Sequence, residues 1–587
     1  VNLRHRLFFR FFYLVLPLLQ GAATAAADCG DPATAISAVQ GSGAASTLVG
    51  QTVTVEGIVT QDSRAEGGFG GFYLQQADHQ ADSNPATSEA IFVYTNRDTG
   101  KPGSRLRVTG KVKEFHGLTE LVAVRSIREC GRDAQPEPVM VDLPWSMHPE
   151  SRENMRVRFR YPLTVVDNYN LAEYGELALA ASDQVQPTEY RAPGQEAYRL
   201  SASHRQNRVL LDDNRSVRDP RPVPWPPAGL SLASTVRAGD RVGNLTGVLD
   251  FRFDAWRIQP SGEPAFIASN PRSRAPTRLQ NDTVRMMAQN LGNYFNGNGQ
   301  GKGFPTSRGA GTLAAFEQQR QRLIHTLLAP DPDILAVSEL ENDGYGPASA
   351  IAGLARSLGD HWQYVRTPGE DGGDEIRTAL LYRSDRITPV GAPSRLTDGT
   401  FRTKGRPPLA QDFRRIGGER TVRIVAPHLK SKSCRGARGA DRDQSDGQGC
   451  YTRRRVAEAS ALVNWPGVHS GDGQSIGTLI AGDLNSYLSE QPLAVFSAAG
   501  FTSMVHHFHP CTPARCRHYT YRYKGEKGTL DHALASEQLR PRVLGAKAWL
   551  VNTDEPRAIG YQGIRQNGQQ GPWRSSDHNP VIIDLRL

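Results

Sequence analysis

The chain closes with Val581-Ile582-Ile583-Asp584-Leu585, an apolar run that reads as a buried strand, directly after Ser575-Ser576-Asp577-His578-Asn579-Pro580. A polar turn with an acid beside a histidine thus sits at the mouth of an interior strand. A histidine held there can give or take a proton near neutral pH. Alone, such a turn is also what any polar connection looks like. Similar polar clusters recur upstream, each at the end of a strand-like run, and they set what the C-terminal half can be.

From about residue 278 strands alternate with helical stretches. Val284 to Ala288 reads as a strand ending at Asn290, and Ile334 to Val337 as one ending at Ser338-Glu339. Between them, Thr312 to Ala329 reads as a helix with Leu313, Phe316, Leu323 and Leu327 on one stripe and Thr312 as its cap. Later strands are expected at Thr378–Tyr382, Val422–Ala426, Thr478–Ile480, His532–Leu534 and Val581–Leu585. Many strands with few helices imply two mixed sheets face to face with helices outside, a four-layer α/β/β/α sandwich in an α+β protein.

The N-terminal half has a different texture. Residues 1–27 read as an export signal: Arg4, His5, Arg6 and Arg10, an apolar core from Phe11 to Leu19, then Ala25-Ala26-Ala27. Residues 28–130 hold five short strand-like runs, which suggests a small OB-like β-barrel, with Phe72, Tyr73 and Tyr94 as candidate base-stacking rings or simply core residues. Residues 131–277 form a second, proline-rich β region of unassigned role, and 278–587 the half in which strands alternate with helices. No later stretch reaches about 18 uninterrupted apolar residues, so no membrane-spanning helix is expected.

Six cysteines in an exported chain favour disulfides. Six allow fifteen pairings; proximity suggests Cys511–Cys516 and Cys434–Cys450, leaving Cys29–Cys130. His506, His507, His509 and His518 lie near Cys511 and Cys516, but no CxxC spacing supports zinc, and His506, His507 and His509 read as surface loop. The net charge is +9; the first 27 residues hold three of the positive charges, so the remainder carries +6, a modest excess that suits an anionic partner.

Carboxylates with an asparagine at one rim suit a hard divalent cation, and a histidine beside them suits phosphodiester hydrolysis. The ordered set Ala288-Gln289-Asn290, Ser338-Glu339, Pro427-His428-Leu429-Lys430-Ser431-Lys432, Gly482-Asp483-Leu484-Asn485, Leu530-Asp531-His532 and Ser575 to Pro580 resembles the motifs of the endonuclease/exonuclease/phosphatase superfamily, the deoxyribonuclease-I-like fold. Within it the chain resembles secreted bacterial nucleases with an N-terminal OB-fold domain, through Asp446 to Cys450 with Arg453 to Arg455, and through Thr87 to Tyr94.

The resemblance implies Glu339 as principal metal ligand with Asn290 beside it and Asp577 as a further metal-site carboxylate. It implies Asp483 and Asn485 orienting water and phosphate, with Asp483 also able to touch metal, and His578 as catalytic histidine held by Asp531. His428 is implied as a second histidine near the phosphate, with Asp374 our choice for its acidic partner. Pro427 departs from the polar residue expected there. The expected cofactor is Mg²⁺, with Mn²⁺ and Ca²⁺ as alternatives.

Basic clusters near the site loops include Arg402, Lys404 and Arg406; Lys430, Lys432, Arg435 and Arg438; Arg453, Arg454 and Arg455; Arg515, Arg517, Arg522 and Lys524. Of these Lys430, Lys432, Arg453 and Arg454 are the candidate nucleic-acid contacts. The expectation is an exported metal-dependent nuclease acting on DNA, with RNA second, secreted or periplasmic, and with no obligate protein partner evident. The alternative is a phosphatase or sphingomyelinase-like phosphodiesterase of the same fold.

Overall fold

The computed structural model describes residues 28–369, 371–402, 405–564 and 571–587. The export-signal stretch 1–27 and Lys404 lie outside them.

Strands Thr52–Ser63, Gly71–Gln75, Ala90–Tyr94, Ser104–Phe115 and Leu118–Arg132 close into a barrel in which the fifth sits between the third and fourth. Alternation along each strand sends every second residue inward. Val53, Val55, Phe72, Leu74, Ile91, Val93, Val108 and Leu121 therefore fill one core. Tyr73 faces the opposite way, yet it too is buried, because its hydroxyl donates to Asp250 of the next region. Of the three candidate rings only Tyr94 is open to solvent, at 54% exposure. The Cys29–Cys130 disulfide ties the chain entering the barrel to its last strand.

Residues 139–267 build a nine-stranded sheet around Val157, Val165, Leu179, Leu211, Val242 and Ile258. A helix not foreseen from sequence, Gln195–Gln206, leaves this region toward the C-terminal half. The seam between them is polar and buried. Glu189 accepts from or shares a proton with His506 at 2.6 Å, and Gln184–Val185 pairs in parallel with Glu526 and Lys527. His506 is thus an interior residue of helix Met504–Phe508, contrary to the surface loop expected, because Glu189 gives its ring a buried partner.

The C-terminal half holds two six-stranded sheets. The first runs Trp362–Tyr364, Ile376–Arg383, Ile334–Glu341, Val284–Tyr294, Val581–Leu585, Val543–Ala548. The second runs Ile387–Arg395, Leu409–Arg415, Thr421–Ala426, Ser475–Asp483, Asp531–Ala535, Thr502–Ser503. Met286, Ala288, Ile334 and Ile583 of the first share a core with Phe413, Ile424, Leu479 and Ala533 of the second. Their chain neighbours Met287 and Leu335 point the other way, against Phe316, Leu323 and Leu354 of helices Leu313–Leu328 and Ala350–Leu358. On the far side, helices Thr452–Val463 and Gln491–Ala498 cover the second sheet through Ala459, Leu462 and Phe496. Thr312 caps its helix by accepting from the Ala315 amide at 3.1 Å. Leu313 stays 40% exposed; the stripe is completed instead by Gln319, whose amide donates to the carbonyls of Leu291 and Gly292.

One buried ion pair locks the C-terminal strand. Arg285 donates to both Asp584 oxygens at 2.7 Å and to the carbonyls of Pro276, Thr277 and Pro330. Removing one partner leaves the other charge buried alone. Arg285→Met is expected to cost about 3–5 kcal/mol in urea unfolding; a loss below about 1 kcal/mol would show that Asp584 finds another partner.

Candidate functional site

Six segments deliver their polar ends to one place, and sheet register explains why. Val284–Tyr294 and Ile334–Glu341 run parallel with Asn290 opposite Ser338, so Glu339 lies one residue beyond. In the second sheet Asp483 and Asp531 are direct antiparallel partners, and His428 bridges to Asp483. Two side-chain bonds then join the sheets. Asn290 Nδ2 donates to Asp483 Oδ2 at 3.1 Å, and His578 Nδ1 meets Asp531 Oδ2 at 2.7 Å. Asp483, Asp531 and His578 offer ligand-type atoms all within 4.8 Å of one another.

The backbone is bent to bring these groups in. Register slips between Asn290 and Tyr294 and, on the other side, between Val337 and Leu340. Such bulges re-aim side chains at strand ends. Within them Glu339 has φ 55° and Asn293 φ 58°, and the Asn293 amide donates to Glu339 Oε2 at 3.0 Å. A glutamate held in the left-handed region costs on the order of 1–2 kcal/mol, which the surrounding fold must supply. Gly482 is also needed: a Cβ there would stand 2.4 Å from the backbone carbonyl oxygen of Pro427, just before His428.

The His578 loop is pinned on every side. The His578 carbonyl accepts from Asn552 Nδ2 at 2.7 Å and Gln289 Nε2 at 3.1 Å. The His578 amide donates to Ser576 Oγ, Ser575 Oγ meets Thr326 Oγ1, and Asn579 Oδ1 accepts from the Asn552 and Thr553 amides. The Tyr521 ring lies 4.5 Å from the imidazole, centroid to centroid.

Crowding of carboxylates sets the electrostatics. Burial, then the Asp531 carboxylate, push the Asp483 carboxyl up to about 7. Burial and Asp577 likewise raise Glu339. Burial opposes charge on His578, but Asp531, Asp577 and Asp483 raise its pKa well above the ordinary value, so it is an imidazolium near neutral pH. His428 is the opposite case. Burial and the Arg406 guanidinium lower it far below the usual range, and Arg406 Nη1 donates to its Nε2 at 2.9 Å. The ring is neutral, with a buried Nδ1 that has no hydrogen-bond partner.

The structure brings together Asn290, Glu339, His428, Asp483, Asn485, Asp531 and His578. Asn485 holds its place by donating to the Leu429 carbonyl at 3.1 Å. Asp577 lies exposed at the rim of a cleft of about 1650 Å³. Asp374 does not partner His428; it pairs with Arg308 at 3.1 Å. Lys432 is not a free phosphate contact either: both oxygens of the fully buried Glu490 hold its ammonium at 2.6 Å, and burial lowers its pKa to about 8. Lys430 stands over the Tyr451 ring at 4.4 Å, Arg454 bonds Glu458 at 3.0 Å, and Arg453 is exposed. Arg455 and Arg522 are interior, Arg455 bonded to the Gln448 and Cys450 carbonyls and Arg522 to Asp183 and Asp554. The disulfides are Cys29–Cys130, Cys434–Cys450 and Cys511–Cys516, so the last two thiols are closed to metal. Two site residues were missed. Tyr521 had no motif signal, and Arg406 was read only as one of a basic cluster.

Residues 294–578 match the family model described as the Endonuclease/Exonuclease/phosphatase family, and residues 148–271 match one described only as a domain of unknown function. No curated protein matches the chain. Among solved structures, the human Nocturnin catalytic domain with bound sulfate anion is 18% identical, covering 52% of this chain and 94% of its own, with TM-score 0.33. An endonuclease/exonuclease/phosphatase family protein from Bacteroides thetaiotaomicron is 15% identical over 52% and 94%, with TM-score 0.34. D. rerio TDP2 complexed with single strand DNA product is 12% identical over 52% and 99%, with TM-score 0.32. The C-terminal half thus carries a domain that the endonuclease/exonuclease/phosphatase family model recognises.

The Asp531–His578 bond has a measurable consequence. Its contribution to stability is full below the unfolded histidine pKa of about 6.5 and is lost as pH rises through the higher folded value. Imidazole NMR titration of the metal-free protein is expected to find His578 protonated above that pH, and Asp531→Asn to lower its pKa. A His578 titration unmoved by Asp531→Asn would contradict the pairing.

Proposed function

We propose that this protein is an exported, metal-dependent nuclease that hydrolyses phosphodiester bonds of DNA. The observation that carries the reading is the joint at the sheet ends: an imidazolium fixed by Asp531 beside an Asp483 carboxyl poised to exchange a proton near pH 7. Such a pair matches hydrolysis of a phosphodiester, which needs a proton acceptor for water and positive charge where the phosphate gains negative charge. The two packed sheets with outer helices are read as the four-layer sandwich, and the barrel strand order as an OB-like domain. Three disulfides support an oxidising, extracytoplasmic compartment.

Glu339, Asn290 and Asp577 fit a divalent cation. They offer oxygen donors only, suited to Mg²⁺ or Mn²⁺. Burial, then the Asp577 carboxylate, raise Glu339, and a cation beside it would favour its charged form. When bound, the metal supplies positive charge to a phosphate oxygen. The chain's own residues do the rest. Asp483 takes one proton of the attacking water as the new oxygen–phosphorus bond forms; the bond to the leaving oxygen breaks, and that oxygen keeps the electron pair and is protonated by solvent water. Asn485 orients the phosphate, and the His578 imidazolium faces the charge that develops on it. Neutral His428 accepts from Arg406 at Nε2 and so keeps that guanidinium beside Asp483.

Circular plasmid and end-labelled linear DNA incubated with Mg²⁺, Mn²⁺ or Ca²⁺ test the reading against an EDTA control. Metal-dependent cleavage is expected, and Glu339→Gln is expected to raise the metal concentration for half-maximal activity by about tenfold or more. Equal cleavage in EDTA, or intact DNA under all three metals, would overturn it.

A further inference from the structure

The cleft beside the site is not made by the C-terminal half alone. One wall comes from the 148–271 region, including Tyr169 and Arg205; the other holds Tyr523, Lys524, Arg557 and, at its catalytic end, Asp577. A hairpin, Tyr521–Tyr523 with Glu526–Gly528, stands on the seam. It gains a third strand from Gln184–Val185. Arg522 pairs with Asp183, and Arg208 Nη1 donates to the Lys524 carbonyl at 2.7 Å. A Cβ at Gly525 would sit 2.8 Å from that same guanidinium, so the hairpin tip is clamped to the other wall.

Residues i and i+2 of a strand share a face. Tyr521, whose ring lies against His578, therefore points the same way as Tyr523, which is 57% exposed. Tyr169, which also lines the cleft, is 54% exposed. Each exposed ring carries a cation: Lys524 Nζ lies 5.5 Å from the Tyr523 centroid, and Arg557 stands 4.9 Å from that of Tyr169 and donates to its hydroxyl. Of the four acids lining the cleft, Glu176 is neutralised by Arg257, Asp167 accepts from the Tyr169 amide, and Asp254 and Asp577 are exposed. An exposed aromatic ring with a positive charge over it suits a base with its phosphate, and it needs bases whose faces are free.

We propose that this seam cleft binds a single nucleic-acid strand, with Tyr523/Lys524 and Tyr169/Arg557 as two base-and-phosphate platforms leading to His578. The 148–271 region is then a substrate-binding wall that selects unpaired strands. The proposal rests on the nuclease reading for its role, but its binding claim is tested separately.

The test is fluorescence anisotropy in EDTA, with the full chain, a labelled oligothymidylate of about ten nucleotides and a duplex of the same length. The single strand is expected to bind more tightly than the duplex. Tyr169→Ala and Tyr523→Ala are each expected to weaken it about tenfold. Tyr161→Ala, 67% exposed and, like its chain neighbours, not part of the cleft lining, is the surface control and is expected to change nothing. Tighter duplex binding, or a Tyr169→Ala/Tyr523→Ala variant that binds like wild type, would overturn the proposal. Strand binding that depends on both tyrosines, in a protein that leaves the strand uncut in Mg²⁺, Mn²⁺ and Ca²⁺ alike, would support the cleft and overturn the nuclease reading alone.

Discussion

The structure of the site depends on two hydrogen bonds that pass between the sheets, Asn290 to Asp483 and His578 to Asp531. Each joins a group from the first sheet to a carboxylate from the second. The shared apolar core holds the sheets face to face, but it does not specify where their ends meet. Direct pairing of Asp483 with Asp531 in the second sheet, and the adjacent Val581–Leu585 and Val284–Tyr294 strands in the first, do that. A slip of one residue in either register would turn these side chains to the opposite face.

That geometry also explains the charge state. Buried carboxylates without a counter-charge shift toward neutrality, and a histidine among them toward its cationic form. Asp483 and Glu339 rise, His578 rises, and His428, which faces Arg406 instead, falls. Two histidines at one rim thus end in opposite states: burial and then Arg406 lower His428, whereas the carboxylates around His578 outweigh its burial.

Local patterns in the sequence carried much of this. Apolar runs with polar ends located the strands that bear Asn290, Glu339, Asp483 and His578, since burial and strand polarity are written in consecutive residues. The Thr312 cap was readable for the same reason. What could not be read was any pairing decided by distant chain. Asp374 was near His428 in the expected layout, yet Arg308 holds it and Arg406 occupies the ring. Lys432 had the composition of a phosphate contact, but a buried Glu490 58 residues away claims it. His506 looked like surface until Glu189, more than three hundred residues earlier, supplied its partner. The seam was invisible for this reason too: the hairpin that presents Tyr521 is completed by a strand from another region.

The central claim is that Asp483, with His578 and Asp531, performs phosphodiester hydrolysis. Its most direct test is single-turnover cleavage of a labelled DNA strand in saturating Mg²⁺ by wild type and by Asp483→Ala, with near-ultraviolet circular dichroism to verify the fold. The account predicts a wild-type dichroism spectrum and a rate lower by about a thousandfold. A folded Asp483→Ala protein that cleaves at the wild-type rate would contradict it.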